Sequence, residues 1–411
     1  MTRSSFLNGQ TALVSLGASV PGIFARGVVA ASNEGSAPNK TLVILQLAGG
    51  VDGLNTVVPH KDPAYRDARP QMALAEQSLL PVNDRAAFHP ALSKFKDLFD
   101  SGKVAIVEGV GYPNPTFSHF KAMDIWQAAD PQGSLENGWL GRYFDGLTDL
   151  QGHPLAGASV GSRLPKAFYA DNATVAAIAN EQTFGLQPAF GANDNADRTA
   201  SLLKMYDLYR PANMPYAALL DTTLDNAQTA SAHLQKAAAA YKPAVQYPQT
   251  PLASGFRILA ELIDSSVPET GLRVGQVTVP GFDTHTNQPS RLEALLTDTS
   301  NALSAFWADI VGHGQADDVL VLAWSEFGRR VKENAQQGTD HGSAGLMFLL
   351  GGQVKGGFYG APPSLHDLDD GNLRFTTDFR SVYATVLERW LGAPSDAILG
   401  KRFDQLDFLP T

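Results

Sequence analysis

Apolar and polar positions along the chain follow two alternating patterns. Short unbroken apolar runs recur as TLVILQL (Thr41 to Leu47), KVAIVEGV (Lys103 to Val110), VGQVTV (Val274 to Val279), DVLVLAW (Asp318 to Trp324) and GLMFLLGG (Gly345 to Gly352). Runs this brief, rich in β-branched residues and closed by glycine or polar residues, read as strands buried on both faces. Between them the spacing turns helical. Leu92, Phe95, Leu98 and Phe99 precede Gly102, and Leu292, Leu295, Leu296, Leu303, Phe306, Trp307 and Ile310 line one face of Arg291 to Gly312. Ser118 to Ala129, Ala217 to Tyr241, Phe256 to Ile263 and Ser381 to Gly392 also read as helices. Strands alternating with helices predict an α/β fold with a largely parallel central sheet flanked by helices. Residues 40–411 read as a single α/β domain, in which about 145–265 is an insertion or cap.

Composition narrows the chemistry. The 411 residues are 44% hydrophobic with a formal charge of −10, and no run of Lys and Arg offers a nucleic acid the phosphate contacts it needs. With no cysteine, any metal must be held by carboxylate, imidazole, amide or hydroxyl groups. Residues 1–31 carry Arg3 and Arg26, no acidic residue, a mild apolar stretch from Ala12 to Phe24, and then small residues. This reads as an export signal, twin-arginine-like but degenerate because the second arginine is missing. The alternative is an N-terminal arm. The stretch is too short and too interrupted for a membrane span. The expected location is therefore the periplasm or cell envelope, with no transmembrane span in the mature chain.

Polar residues gather where the strands end. The first strand runs into AGGVDGLNT with Asp52 and Asn55, and the second into GYPNPTFSHF with Asn114, Thr116, Ser118 and His119. The later strands run into GFDTHTNQ with Asp283 and His285, and SEFGRR with Glu326 and Arg329; GTDHGSAG carries Asp340 and His341 just ahead of the last strand. In open parallel sheets, ligands bind outside the carboxyl ends of strands. The candidate metal ligands are Asp52, Asp283, His285, Glu326, Asp340 and His341. Ser118, Thr116 and His119 are the candidate catalytic residues, and Asn55, Asn114 and Arg329 the candidate substrate contacts. Mixed carboxylate and imidazole donors suit one or two divalent ions such as Zn, Mn, Fe, Mg or Ca. Each residue also has a plainer use. Asp52 can make a turn, Asp283 and Ser118 can cap helices, His119 can pack in the core, and Glu326 can pair with Arg329 or Arg330.

The motifs LVILQLAGGVDGLNTVVP, PTFSHFKAMDIW, NGWLGRYF, GFDTHTNQ, SEFGRRVKEN, GTDHGSAG and GGQVKGGFYG together resemble the bacterial exported family called domain of unknown function 1501, over about residues 41–395. That family resembles the alkaline phosphatase and sulfatase superfamily. The resemblance implies a superfamily-like core with metals at the strand ends, Asp52 as the first metal-binding aspartate, Ser118 (or Thr116) as nucleophile, and Asp283 with His285 as a ligand pair. It also implies Glu326 at the Asp of a usual Asp-His pair and His341 as the last histidine ligand, with Asp340 a ligand or the partner that orients it. Phe327 stands where a histidine is common, which leaves a second metal position incomplete. The function implied is an exported metal-dependent hydrolase of phosphate or sulfate esters, small or polymer-borne. The alternatives are a noncatalytic ligand-binding or envelope protein on the same fold, or a mutase or transferase.

Overall fold

The computed structural model describes residues 40–147, 150, 153–179, 184, 201, 204, 217–264 and 271–411. The N-terminal export reading therefore lies outside the described residues. None of the described helices is long and apolar enough to cross a membrane.

The apolar runs form one nine-stranded sheet. Its strands are β1 (Thr41–Ala48), β2 (Val104–Gly111), β3 (Gly157–Val160), β4 (Ala176–Ile178), β5 (Val274–Pro280), β6 (Val319–Trp324), β7 (Gly345–Gly351), β8 (Gly357–Tyr359) and β9 (Thr377–Asp378). The order across the sheet is β8-β2-β7-β6-β1-β5-β3-β4, with β9 also pairing with β2. β1 lies at the centre, parallel to β5 and β6. The sheet is mixed rather than wholly parallel, because β7 runs antiparallel to both β2 and β6. An apolar run gives no sign of its direction, so this reversal is not legible in the sequence. It has a consequence for the site: β7 begins, rather than ends, at the rim where β1 and β6 finish.

Alternate residues of the central strands feed two cores. Val43, Leu45, Val321 and Ala323 face Phe256 of helix α6 (Pro251–Ile263) and Leu303 and Phe306 of α7 (Gln288–Gly312), and Phe95 of α2 (Ser93–Asp100) joins the same side. Leu42, Ile44, Leu320 and Leu322 face Trp126 of α3 (His119–Ala128), Leu140 and Tyr143 of α4 (Trp139–Asp145) and Val382 and Tyr383 of α8 (Phe379–Arg389). Each fully buried Leu, Ile or Val contributes about 1.5–3 kcal/mol, and burial on both faces explains why these strands read as unbroken apolar runs rather than alternating ones.

Described residues of the segment 145–265 enter this arrangement directly. Its β3 and β4 extend the sheet beyond β5, and Phe256 of α6 stacks on Phe306 of α7 at 4.8 Å. Between them lies α5 (Ala217–Ala240). β3 and β4 are four and three residues long, too short for periodicity to separate them from loops.

Candidate metal centre

The turn after β1 sets the geometry of the site. Gly49 and Gly50 adopt φ of +126° and +79°. A Cβ on Gly49 would lie 2.3 Å from the backbone nitrogen of Asp283, and one on Gly50 would lie 2.5 Å from the Phe327 ring. Only glycine permits both the dihedrals and the close approach. The Gly49 amide donates to Glu326 Oε1 at 2.9 Å, and the Gly50 and Val51 amides donate to Ser325 Oγ at 3.1 and 3.0 Å. The turn thereby ties the end of β1 to the end of β6.

Three imidazoles converge over this turn on one carboxylate. His119 Nε2 lies 3.4 Å from Asp283 Oδ2. His285 Nε2 lies 2.9 Å and His341 Nε2 3.1 Å from Asp283 Oδ1, and the two nitrogens are 2.9 Å apart. Donor atoms of His119, Asp283 and His341 all fall within 4.8 Å of one another, the one such group of three among the described residues. His285 adjoins it through Asp283 and His341.

The far side of each ring faces an oxygen that only accepts. Glu326 Oε1 is 2.7 Å from His119 Nδ1, the Phe117 carbonyl 2.7 Å from His341 Nδ1, and Asp340 Oδ1 3.4 Å from His285 Nδ1. The first two lie at hydrogen-bond distance and place the proton on Nδ1 of His119 and His341, so those rings, when neutral, present the Nε2 lone pair to the centre. His119 Nε2 is buried there without a hydrogen-bond partner. Nitrogen lone pairs facing a carboxylate repel unless a cation or added protons lie among them, so this donor set fits a divalent ion.

Asp283 remains ionised in this company. Partial burial raises its pKa, but a hydrogen bond from Arg329, one from His341 when its Nε2 carries a proton, and the charges of Arg329 and of a protonated His285 outweigh that and bring it down to about 2. Phe327 supplies an apolar floor, with ring centroids 4.8 Å from His119 and 4.6 Å from His341.

The other sequence candidates take different places. Asp52 is not in the cluster. It caps α1 (Gly53–Thr56), accepting from the Leu54 and Asn55 amides, and its other oxygen pairs with Arg69 at 2.5 Å and accepts from Gln288. Glu326 is fully buried behind His119, an orienting carboxylate rather than a converging one. Asn55, read as a substrate contact, is buried, accepting from Tyr65 and Arg69 and donating to the Met72 carbonyl. Arg329, read the same way, is buried too. It donates to the carbonyls of Gly49, Gly50, Phe282 and Thr339 and to Asp283 Oδ1 at 2.8 Å. These two side chains face inward, where protein partners meet their polar groups. Asp340 is exposed and reaches the site only through His285.

Ser118, Asn114 and Thr116 lie on the loop before α3. Ser118 is exposed and makes no capping bond, although it occupies the N-cap position. Thr116 Oγ1 accepts from the Ser118 amide at 3.3 Å. Asn114 is exposed with φ of +55°. Sequence reasoning missed Arg69, Thr284 and Thr339 and the part played by Gln288. It also missed the Phe117 carbonyl, which no side-chain pattern can reveal.

The family described as "Protein of unknown function (DUF1501)" matches residues 105–393. The chain belongs to it. The DUF1501 match takes in His119, Asp283, His285, Glu326 and His341, and begins within β2, after the glycine turn. No curated protein matches the chain. Among solved structures, this DUF1501 chain is similar to one named Ps i-CgsB, at 11% identity over 89% of this chain and 73% of that one, with a TM-score of 0.37. It is similar to the lipoteichoic acid synthase LtaP from Listeria monocytogenes, at 12% identity over 84% and 77%, with a TM-score of 0.30. It is also similar to the phosphonate monoester hydrolase SpPMH from Silicibacter pomeroyi, at 11% identity over 89% and 78%, with a TM-score of 0.29. Overlaps this loose place no side chain.

Proposed function

We propose that His119, Asp283, His341 and the adjoining His285 hold a divalent metal ion, and that the protein is an exported hydrolase of phosphate or sulfate esters. The observation that carries the metal reading is the orphaned His119 Nε2 facing Asp283, with Nδ1 of every ring turned toward an oxygen acceptor. When bound, such an ion supplies Lewis-acid charge to an anionic ester and eases deprotonation of an attacking hydroxyl. The protein groups prepare that site. Glu326 holds His119 in the Nδ1–H tautomer, the Phe117 carbonyl does the same for His341, and Arg329 keeps Asp283 charged.

The hydrolase reading is supported by the hydroxyls beside the cluster and by the motif resemblance. Ser118 lies between Phe117, whose carbonyl bonds His341, and His119, whose ring bonds Glu326. It stands exposed at the start of α3, where the helix dipole favours an anion. Ser118 is the first choice of nucleophile and Thr116 the second. The test is hydrolysis of aryl phosphates, phosphodiesters and aryl sulfates after loading with Zn, Mn, Mg or Ca, in the native protein and in Ser118→Ala and Thr116→Ala. Turnover lost on chelation and in one hydroxyl variant supports the reading; no turnover with any metal counts against it.

A second reading is a noncatalytic binding protein on the same fold. It is favoured by Asp52, whose carboxylate is already engaged by Arg69 and Gln288, and by Phe327, an apolar ring where a second set of ligands would need a donor. Retained metal binding without turnover distinguishes this reading from the first.

A further inference from the structure

Two separate loops bring the convergent side chains together, one carrying Asp283 and His285 and the other carrying His341. Between them lies Gln288, the first residue of α7, with 0% exposure. Its Nε2 donates to Asp52 Oδ2. Its Oε1 accepts from Thr284 Oγ1 at 3.0 Å and from Thr339 Oγ1 at 2.6 Å. A carboxylate offers acceptors only, so the amide has one possible orientation, with nitrogen toward Asp52 and oxygen toward two donating hydroxyls. Thr284 sits between Asp283 and His285, and Thr339 two residues before His341. Asp52 is immobilised in turn by Arg69, 2.5 Å away and 0% exposed, and by the amides of Leu54 and Asn55.

We propose that Gln288 is a positioning residue that fixes the distance between the two loops by referring both to the buried Asp52–Arg69 pair. The inference rests on the reading of Asp283, His285 and His341 as ligands, and it assigns Asp52 a role one step behind them. The chain of contacts is unbroken: Arg69 holds Asp52, Asp52 holds Gln288, and Gln288 holds one hydroxyl in each loop. Every side chain in it is buried, so no water competes for these bonds, and loss of one leaves a buried polar group unsatisfied. The rival account is that backbone links suffice. The Thr339 amide donates to the Thr284 carbonyl at 3.2 Å, and the Gln288 amide to the Gln337 carbonyl at 2.8 Å.

The test compares the native protein with Gln288→Met and with the double variant Thr284→Val and Thr339→Val. Two properties are read. One is Co(II) affinity, from the visible spectrum during titration. The other, in metal-free protein at one fixed pH, is the ring nitrogen shifts of His285 and His341, with His313 as reference. The expected result is Co(II) affinity about 10–100-fold weaker in Gln288→Met and in the double threonine variant, as for other residues that orient ligands. The shifts of His285 and His341 change, and those of His313 do not. Unchanged affinity and unchanged ring shifts in the double threonine variant, which leaves the Gln288–Asp52 bond in place and so guards against a simple folding defect, overturn the proposal. Native protein that takes no Co(II) defeats the metal reading instead, and the ring shifts still decide the role of Gln288.

Discussion

Glu326 Oε1 lies 2.7 Å from His119 Nδ1, and the same carboxylate accepts from the Gly49 amide. One buried side chain thereby sets both the tautomer of a candidate ligand and the turn beneath it. Glu326→Gln keeps the shape but can present an NH₂ to Nδ1, which favours the wrong tautomer. Its expected effect is a metal affinity lower by about 10–100-fold, with the fold retained. Isothermal titration alongside circular dichroism measures both, and an affinity equal to that of native protein would contradict the assignment.

Asp52 and Arg69 form an ion pair with side-chain exposures of 1% and 0%. Asp52→Ala removes the helix cap and leaves a guanidinium buried without its charge partner. Loss of one member of such a pair costs about 3–5 kcal/mol, read as a lower midpoint in urea. Were Asp52 only an exposed metal ligand, its removal would leave the stability of chelator-treated protein nearly unchanged.

Gly49→Ala is expected to disturb the site as well as the fold, because the added carbon meets the Asp283 backbone nitrogen at 2.3 Å. Backbone cannot rotate aside as a side chain can. Destabilisation of about 1–3 kcal/mol follows from overpacking alone, with a further cost from φ of +126°. Gly102→Ala is the control, since its Cβ meets nothing within 4 Å while its φ is also positive. Equal loss of metal affinity in the two variants would refute the steric argument.

The Asp283 carboxyl, held down to about 2 against an ordinary 3.8, links the site to pH. Its folded pKa lies below its unfolded one, so the stability it contributes is full above about pH 4 and is lost as pH falls toward 2. In metal-free protein, Asp283→Asn should flatten the pH dependence of the unfolding midpoint in that window, and Arg329→Met should move the Asp283 titration upward. The carboxyl carbon resonance followed from pH 5 to 1.5 checks the second point; a titration still near 2 in Arg329→Met contradicts it.

Much of the fold is legible because strands buried on both faces leave unbroken apolar runs, and the long helix α7 keeps its apolar stripe. What escaped has physical causes. The reversal of β7 leaves no mark on composition, and β3 and β4 are too short to show a period. Residue type brought Asp283, His285 and His341 to notice, and the structure draws them together. Position also brought Asp52, Glu326, Asn55 and Arg329 to notice, but sequence does not show which polar residue at a strand end faces the opening and which is satisfied from within. Arg69 lies in PAYRDARP, where nothing distinguishes it from a surface arginine.

The most direct test of the account is the metal content and affinity of purified protein, stripped with chelator and reloaded, for the native chain and for Asp283→Ala and His341→Ala. The account predicts a divalent ion retained by the native protein through gel filtration and lost from both variants, each still folded. Native protein that retains no ion, or variants that retain it as well as native, would contradict it.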